Sequence, residues 1–421
     1  MKSPEKRRSR VLPRTAGVWL APVAVLLASV SVAAQAAKVS AYNEQVLYRF
    51  KGSEDGGNPY AGLILDATGN LYGVTTGGGS NSCPGGCGTV FQVDATGNET
   101  VLYRFLGGMD GSYPYGGLIS DSTGNLYGTT LRGGGQACAG AGCGTVFKVD
   151  AAGDETVLYS FAGQPADGEY PQSVLVMDVA GNLYGTTVDG GSQEGGGVVF
   201  KLDTAGNESL LHVFTGSPDG WAPLSALIAD ATGNLYGTTE LGGDSKGCDV
   251  GQGCGIVFQL GPTGQETILH TFEGHRRGRH PYAGLVMDSY GNSYGTTEEG
   301  AGTVFEITPG GVETVLHDFN YNDGAQPYDQ LVLDGSGNLY GTTRIGGNRR
   351  CGGYGLGCGV VFKVGPNGKE GILHMFGETV GDGVLPYAGV VGDAEGNLYG
   401  TTWAGGDPNC NCGVVFKLTP P

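Results

Sequence analysis

After about residue 40, short runs of apolar and β-branched residues alternate with polar stretches rich in Gly, Asp and Asn. One such unit contains four runs, at residues 117–120, 125–130, 145–149 and 156–161. Each run is rich in Val, Leu, Ile, Tyr, Phe and Thr and is bounded by turn-forming residues, which is the pattern of short β-strands. The unit therefore predicts four antiparallel strands joined by tight turns.

This unit is repeated along the chain. The pentapeptide Gly-Asn-Leu-Tyr-Gly, or Gly-Asn-Ser-Tyr-Gly in one copy, begins at Gly69, Gly124, Gly181, Gly233, Gly291, Gly337 and Gly396. The Asp that leads each preceding turn is Asp66, Asp121, Asp178, Asp230, Asp288, Asp334 or Asp393. Asp accepts bonds from turn backbone N–H groups and Gly supplies a positive φ, so we interpret these seven Asp as turn residues and not as a catalytic series. Four-stranded units repeated at this interval are typical of β-propellers.

The two ends of the repeat region complement each other. Residues 44–50 are a copy of the fourth strand with no first three strands before them, and the last unit ends at residues 414–418 after its third strand. The sequence therefore predicts an all-β, seven-bladed propeller of four-stranded antiparallel blades, in which the N-terminal strand completes blade seven. We expect residues 37–421 to form one propeller domain.

The repeat resembles the bacterial choice-of-anchor tandem repeat GloVer family. The second unit carries the motif: Gly117-Leu118-Ile119, Asp121, residues 124–130, residues 144–148 and residues 155–159. The D-x-x-G-N-L-Y element is also similar, more loosely, to that of NHL and SMP-30-type propellers. The resemblance covers residues 44–418; it implies export and often surface anchoring, and brings no established activity.

The N-terminus is expected to be a signal peptide. Residues 1–36 contain a basic region, an apolar stretch at residues 18–32 and an Ala34-Gln35-Ala36 cleavage site, although an uncleaved anchor is the alternative. Loss of its six positive charges and one negative charge takes the net charge from −18 to −23. Such acidity disfavours nucleic acid and anionic membranes as partners. We expect a protein secreted or held in the cell envelope, with no integral membrane domain after cleavage.

The cysteines form five close pairs, all in the loops between second and third strands. They are Cys83/Cys87, Cys138/Cys143, Cys248/Cys254, Cys351/Cys358 and Cys410/Cys412, and the third and fifth units lack both members. Paired presence and paired absence in an exported protein predict one disulfide per loop. The one-residue spacer of the last pair strains such a ring, which leaves its bonding open. Zinc is the alternative, but no loop supplies further ligands at metal spacing.

The Gly and Pro content narrows the possible fold class further. With 83 Gly and 19 Pro among 421 residues, long helices are excluded, because Gly costs about 1 kcal/mol per helix-interior position. The second-to-third loops and the connections between blades must emerge on one face, opposite the tight turns. Function is expected on that loop-rich face, because variable loops on a rigid frame usually carry it.

A basic cluster stands out on this face of an acidic chain. Its residues, the candidate ligand site, are Arg276, Arg277, Arg279 and His280 in the connection to blade five and Arg344, Arg349 and Arg350 in the loop of blade six. Together they are suited to a carboxylate or phosphate group, for example of an acidic polysaccharide. The alternative is a solvated loop whose Arg side chains pair with nearby acids.

Other candidates have structural interpretations. Asp-Gly pairs in six blade connections could hold Ca²⁺ or, beside Tyr and Trp, a sugar, but the turn and packing between blades explain them as well. Four His occupy the fourth-strand position that holds Tyr48, Tyr103 and Tyr159 elsewhere, which we interpret as a packing position. No cofactor or metal is expected beyond that Ca²⁺.

The sequence predicts a non-catalytic propeller that binds a polysaccharide or an extracellular protein, or that has a structural role in the envelope. No nucleophile elbow, H-E-x-x-H or phosphate-binding loop is found. The alternative is a propeller enzyme, a polysaccharide lyase or hydrolase or a lactonase-like protein, with its site at the loop-rich mouth of the central channel.

Overall fold

A computed structural model describes residues 42–243, 248, 253–274, 278–347, 351 and 356–421. Seven four-stranded antiparallel sheets form a ring around a central channel, which confirms the predicted seven-bladed propeller. In the loops that the structure describes, there are three two-stranded ribbons and one 3-10 turn, Cys138–Gly140. Among the described residues, no helix is long and apolar enough to cross a membrane.

The strands follow the chain order within each blade. The innermost strands are β2 (Ile64–Leu65), β6 (Ile119–Ser120), β11 (Val176–Met177), β17 (Ile228–Ala229), β22 (Val286–Met287), β26 (Val332–Leu333) and β31 (Val390–Gly392). The second strands are β3 (Leu71–Thr75), β7 (Leu126–Thr130), β12 (Leu183–Thr187), β18 (Leu235–Thr239), β23 (Ser293–Thr297), β27 (Leu339–Thr343) and β32 (Leu398–Thr402).

The third strands are β4 (Thr89–Val93), β8 (Thr145–Val149), β14 (Val198–Leu202), β20 (Ile256–Leu260), β24 (Thr303–Ile307), β28 (Val360–Val364) and β34 (Val414–Thr419). The outermost strands are β5 (Glu99–Arg104), β9 (Glu155–Ser160), β15 (Glu208–Val213), β21 (Glu266–Thr271), β25 (Glu313–Asp318), β29 (Glu370–Met375) and β1 (Asn43–Arg49). The loop ribbons pair β10 (Gly168–Glu169) with β13 (Asp189–Gly190), β16 (Gly220–Trp221) with β19 (Leu241–Gly242), and β30 (Gly383–Val384) with β33 (Ala404–Gly405).

The N-terminal strand closes the ring. β1 pairs antiparallel with β34 from Asn43 opposite Thr419 to Arg49 opposite Val414, so the first and last segments of the described chain share blade seven. The hydroxyl of Thr401 in blade seven also donates to the carbonyl of Ala61 in blade one at 3.3 Å. Both contacts confirm the closure that the incomplete first and last repeats predict.

The core repeats one aromatic contact at every blade junction. A Phe after each outermost strand packs edge-to-face against the Phe of the next blade's third strand, with ring centroids 5.0–5.2 Å apart. The pairs are Phe50–Phe91, Phe105–Phe147, Phe161–Phe200, Phe214–Phe258, Phe272–Phe305, Phe319–Phe362 and Phe376–Phe416.

The last Gly of the repeated pentapeptide makes room for this core. At Gly128 a Cβ atom would lie 2.7 Å from Cζ of Phe147, closer than packed atoms approach. The Gly is therefore required by the Phe ring beneath it, which explains its presence in all seven second strands.

Candidate functional site

The loop-rich face, which we call the mouth, is built as the topology predicts. The second-to-third loops and the blade connections meet there: Gly107, in the connection after blade one, lies against Cys83 and Cys87 with no room for a Cβ. At the opposite ends of the strands, the tight turns are held by their Asp; Asp121, for example, accepts from the backbone N–H of Thr123 and Asn125 at 2.8 and 3.0 Å. The variable loops therefore share one face.

All five predicted disulfides are present. Cys83–Cys87, Cys138–Cys143, Cys248–Cys254, Cys351–Cys358 and Cys410–Cys412 are bonded, with Cα atoms 5.0–5.8 Å apart. The pair with the one-residue spacer is bonded like the others. Because every cysteine is bonded, none is left as a zinc ligand.

A residue with positive φ precedes a Pro at the entrance to every blade. These residues are Asn58, Tyr113, Tyr170, Ala222, His280, Gln326 and Leu385, with φ between 55° and 60°. The N–H of Tyr113 donates to the carbonyl of Cys87 in the preceding blade, and its carbonyl accepts from the N–H of Leu131 in its own blade. The same pair of bonds recurs around the ring, so each disulfide loop fixes the backbone of the next blade at the mouth.

The residue after that Pro lines the top of the central channel. Around the ring it is Tyr60, Tyr115, Gln172, Leu224, Tyr282, Tyr328 and Tyr387, and all seven are half-buried. Tyr60 stacks on Tyr387 at 4.7 Å, and Tyr282 packs edge-to-face on Tyr328 at 4.8 Å. The rings narrow the channel to a cavity of about 60 Å³, well below the 300 Å³ or more of typical small-molecule sites.

One position per blade at the mouth, directly after the second strand, holds a different type of side chain in different blades. It is Thr76 in blade one, Leu131 in blade two, Val188 in blade three, Glu240 in blade four, Glu298 in blade five, Arg344 in blade six and Trp403 in blade seven. We call the last three, with Tyr282, Tyr328 and Tyr387, the mouth arc. Sequence reasoning named Arg344 as a candidate but missed Trp403 and the grouping; its signal was the single variable residue after each Thr-Thr or Val-Thr pair.

Arg344 occupies the middle of the mouth arc. Its guanidinium carbon lies 5.6 Å from the ring centre of Tyr328 and 5.1 Å from that of Tyr387, within cation–π range. One terminal nitrogen also donates to Oε1 of Gln326 at 3.1 Å. Trp403 packs edge-to-face on Tyr387 at 6.1 Å.

Carboxylates face the same rings. The hydroxyl of Tyr328 donates to Oε1 of Glu298 at 2.8 Å. Burial, followed by the charge of Glu298, raises the pKa of Glu240, and burial beside Glu240 raises the pKa of Tyr282 to about 12. Asp329 lines the narrow channel; desolvation there raises its pKa, against the backbone N–H bonds that it accepts from Gly389 and Gln330.

The predicted basic cluster is described in part. Arg276, Arg277, Arg349 and Arg350 lie outside the described residues. Arg279 is paired with Glu299, and His280 Nδ1 lies 3.4 Å from Oε2 of the same Glu299. Of the three cluster residues that the structure describes, Arg344 is the one placed against the aromatic rings. A ligand site formed by all seven stays a prediction.

A second set of polar residues lies between the blades. At six junctions the fourth-strand Tyr or His, the Asp of the Asp-Gly pair and the first Glu of the next fourth strand come together. The sets are Tyr48/Asp55/Glu99, Tyr103/Asp110/Glu155, Tyr159/Asp167/Glu208, His212/Asp219/Glu266, His317/Asp323/Glu370 and His374/Asp382/Glu44. At Tyr48, Tyr103, Tyr159 and His212 this side chain hydrogen-bonds the Asp as well as packing. The Glu was missed by sequence reasoning.

The two carboxyl groups of a junction repel each other's charge. Burial and the charge of Asp55 raise the pKa of Glu99 to about 7, and burial and Asp382 raise that of Glu44 to about 8. The hydroxyl of Tyr48 donates to Asp55 at 2.8 Å. The Asp-Gly carboxylates are thus engaged within the protein, and calcium binding at them stays a prediction.

A sequence-family comparison matches nearly the whole chain. The family described as the Gloeobacter/Verrucomicrobia repeat matches residues 36–164, 135–299 and 249–421. No curated protein is similar in sequence. These matches agree with the family that the repeat motif resembles.

Solved structures share the fold at low sequence identity. Two structures of an extracellular domain from B. thetaiotaomicron, described as part of a hybrid two-component or one-component system, align with TM-scores of 0.55 and 0.56 at 13% and 12% identity. They cover 89% and 88% of this chain, which spans 39% of theirs. A gluconolactonase from Xanthomonas campestris aligns with a TM-score of 0.42 at 16% identity, over 71% of this chain and 83% of its own. At these identities the likeness concerns the fold alone.

Proposed function

The chain belongs to the Gloeobacter/Verrucomicrobia repeat family, and from that premise we propose that it is an exported, non-catalytic propeller that binds an acidic glycan at its mouth arc. The observation that carries the proposal is the grouping of Arg344 and Trp403 with the rings of Tyr328 and Tyr387 on the disulfide-bonded face. Aromatic planes suit the apolar faces of sugar rings, and a guanidinium suits a uronic carboxylate.

Binding is favoured over catalysis by the size of the channel. Its cavity of about 60 Å³ has room for a few water molecules and not for a sugar ring. The carboxylate of Glu298 is engaged by the hydroxyl of Tyr328, and Asp329 lies beneath the tyrosine rings. A glycan would therefore lie across the mouth, where loops and rings are accessible, without entering a closed catalytic pocket.

Export is supported by the cysteines and the N-terminal segment. Five disulfides among ten cysteines are typical of oxidising compartments. The basic and apolar pattern of residues 1–36 is that of a secretory signal. We therefore infer that the protein acts outside the cytoplasm, secreted or in the cell envelope.

The test is a binding assay against neutral and acidic polysaccharides, with thermal shift as the first readout. We expect uronic-acid polymers to raise Tm, because a ligand that binds only the folded state stabilises it. The variant Arg344→Leu introduces the residue that blade two holds at the same register, so the fold is expected to persist while affinity falls about tenfold.

The matched control is Lys363→Gln. It removes the same charge from blade six, but Lys363 lies over the ring of Tyr340 near the opposite face, and blade one holds Gln92 at that register. Equal loss of affinity in both variants would indicate a general charge effect and contradict the site. Failure of every polysaccharide to bind would contradict the glycan proposal and favour a protein partner.

A further inference from the structure

At the junction between blades six and seven, unlike the other described junctions, an oxygen of the Asp is buried without a hydrogen bond. His374 on β29, Asp382 in the following connection and Glu44 on the closing strand β1 offer three ligand atoms that all lie within 4.8 Å of one another. The side chain of Asp382 is only 2% exposed and that of His374 is 12% exposed. The group links the N-terminal strand β1 to blade six, so a ligand bound there would contact both the first and the last part of the propeller.

Nε2 of His374 and Oδ1 of Asp382 are buried without a hydrogen bond to any described residue. Oε1 of Glu44 is in the same state, as is the matching Glu oxygen at each of the other five junctions. Buried polar atoms are normally paired, because leaving one unsatisfied costs free energy. The other oxygen of Asp382 accepts from the N–H groups of Gly377 and Glu378, which fixes the carboxylate in place. Nε2 of His374 and Oδ1 of Asp382 are thus free to act as ligand atoms.

Two other junctions show how the Asp is satisfied where this one is open, whereas the His317 junction is similar to it, with Nε2 of His317 3.5 Å from Asp323 and also without a hydrogen bond. At the junction of Tyr48, the phenol hydroxyl fills the space and donates to Asp55 at 2.8 Å. At the junction of His212, the imidazole lies 3.3 Å from Asp219 and satisfies it. At His374 the nearest Asp382 oxygen is 4.0 Å away, beyond hydrogen-bond distance.

One imidazole and two carboxylates are a ligand set that Zn²⁺ accepts, with a fourth position left for water. Ligands at 2.0–2.2 Å from a tetrahedral zinc lie about 3.3–3.6 Å apart, so ligand atoms that now lie within 4.8 Å of one another must approach by about 1 Å, a rotamer adjustment. We propose that His374, Asp382 and Glu44 bind a zinc ion that fastens the N-terminal strand to blade six and stabilises the closed ring.

The experiment uses the purified full chain, stripped with a chelator and then titrated with ZnCl₂ by calorimetry, with bound metal counted by elemental analysis. The variant His374→Tyr removes the nitrogen ligand but introduces the residue found at three other junctions, so it is expected to fold. We expect the wild type to bind one equivalent of zinc more than this variant.

Thermal melts give an independent readout. At zinc concentrations of about one hundred times Kd we expect a rise in Tm of about 3 °C in the wild type. The rise should vanish in His374→Tyr and Glu44→Gln, and persist in Glu99→Gln, which changes the corresponding Glu at a Tyr junction. Equal zinc binding by the wild type and His374→Tyr, or none by either, would overturn the proposal.

Discussion

Blades one to three and blades four to seven are built on the same frame but differ directly after the second strand, and a second register, in the fourth strand, divides the ring one blade earlier. Directly after the second strand, the first half carries Thr76, Leu131 and Val188, whereas the second carries Glu240, Glu298, Arg344 and Trp403. At the blade junctions, the fourth strands of blades seven, one and two contribute Tyr48, Tyr103 and Tyr159, whereas those of blades three to six contribute His212, His270, His317 and His374. Backbone geometry and core contacts recur in both halves.

The difference shows how a repeat protein acquires new charged and aromatic side chains at its surface while its fold stays the same. Each blade presents one side chain at the mouth and one at its junction, at positions fixed by the strand register. Substitution there changes charge and aromatic content while the Phe pairs and the tight turns stay the same. We therefore expect the residues that bind a ligand to lie at these two positions of the blades.

The largest effect tests the shared frame. Phe147→Ala in blade two and Phe362→Ala in blade six each remove a fully buried ring from an edge-to-face pair. We expect each to lower the free energy of unfolding by about 3–5 kcal/mol, because a buried ring and its packing are lost. Chemical denaturation measures both. Costs that differ by several kcal/mol would contradict an equivalent frame in the two halves.

The second largest effect compares the mouth residues of blades four to seven with those of blades one to three. Trp403→Thr introduces the residue of blade one at the same register, and we expect affinity for an acidic glycan to fall by about 2 kcal/mol through loss of the aromatic plane. Leu131→Ala is the control in the first half, with affinity expected to be unchanged. Calorimetric titration checks both, and an equal loss in the two variants would contradict a site confined to the mouth arc.

A smaller effect concerns the tight turns. Asp121 accepts from Asn125 Nδ2 and the hydroxyl of Tyr127, and Asp334 makes the matching bonds with Asn338 and Tyr340. Burial opposes the charge of Asp121, but these bonds outweigh it and hold its pKa well below the usual range. We expect Asp121→Ala and Asp334→Ala to destabilise the protein by about 1 kcal/mol each, with glycan binding unchanged.

The smallest effect concerns the pH dependence of the junctions. The pKa of Glu99 is about 7 in the folded protein, above its unfolded value near 4.3. The contribution of this group to the free energy of unfolding is therefore complete below about pH 4 and is lost as the pH rises through 7. Glu370, in the other half, behaves alike, with a pKa raised to about 7 mainly by burial.

We therefore expect Tm to fall between pH 5 and pH 8. Glu99→Gln and Glu370→Gln should each lessen this fall by about 1 °C, since an amide cannot ionise beside the neighbouring Asp. Melts across this pH range measure the change. A steeper fall in either variant would contradict the raised pKa.

The fold was predictable because local signals agreed. The D-x-x-G-N turn, the strand pattern and the split fourth strand gave the blade number, the strand order and the closure. The mouth arc was not predictable, because residues such as Arg344 and Trp403 are 59 positions apart and meet only through the ring. The junction of His374 and Glu44 is harder still, since 330 positions separate two residues that the closure brings together.

Hydrogen–deuterium exchange with and without the tightest-binding polysaccharide tests the central claim most directly, because it locates the binding surface on the unaltered chain. We predict added protection in the peptides that contain Tyr282, Glu298, Tyr328, Arg344 and Trp403, and none in those of the tight turns or of Leu131 and Val188. Protection centred on blades one to three, or on the turn face, would contradict the assignment of binding to the mouth arc.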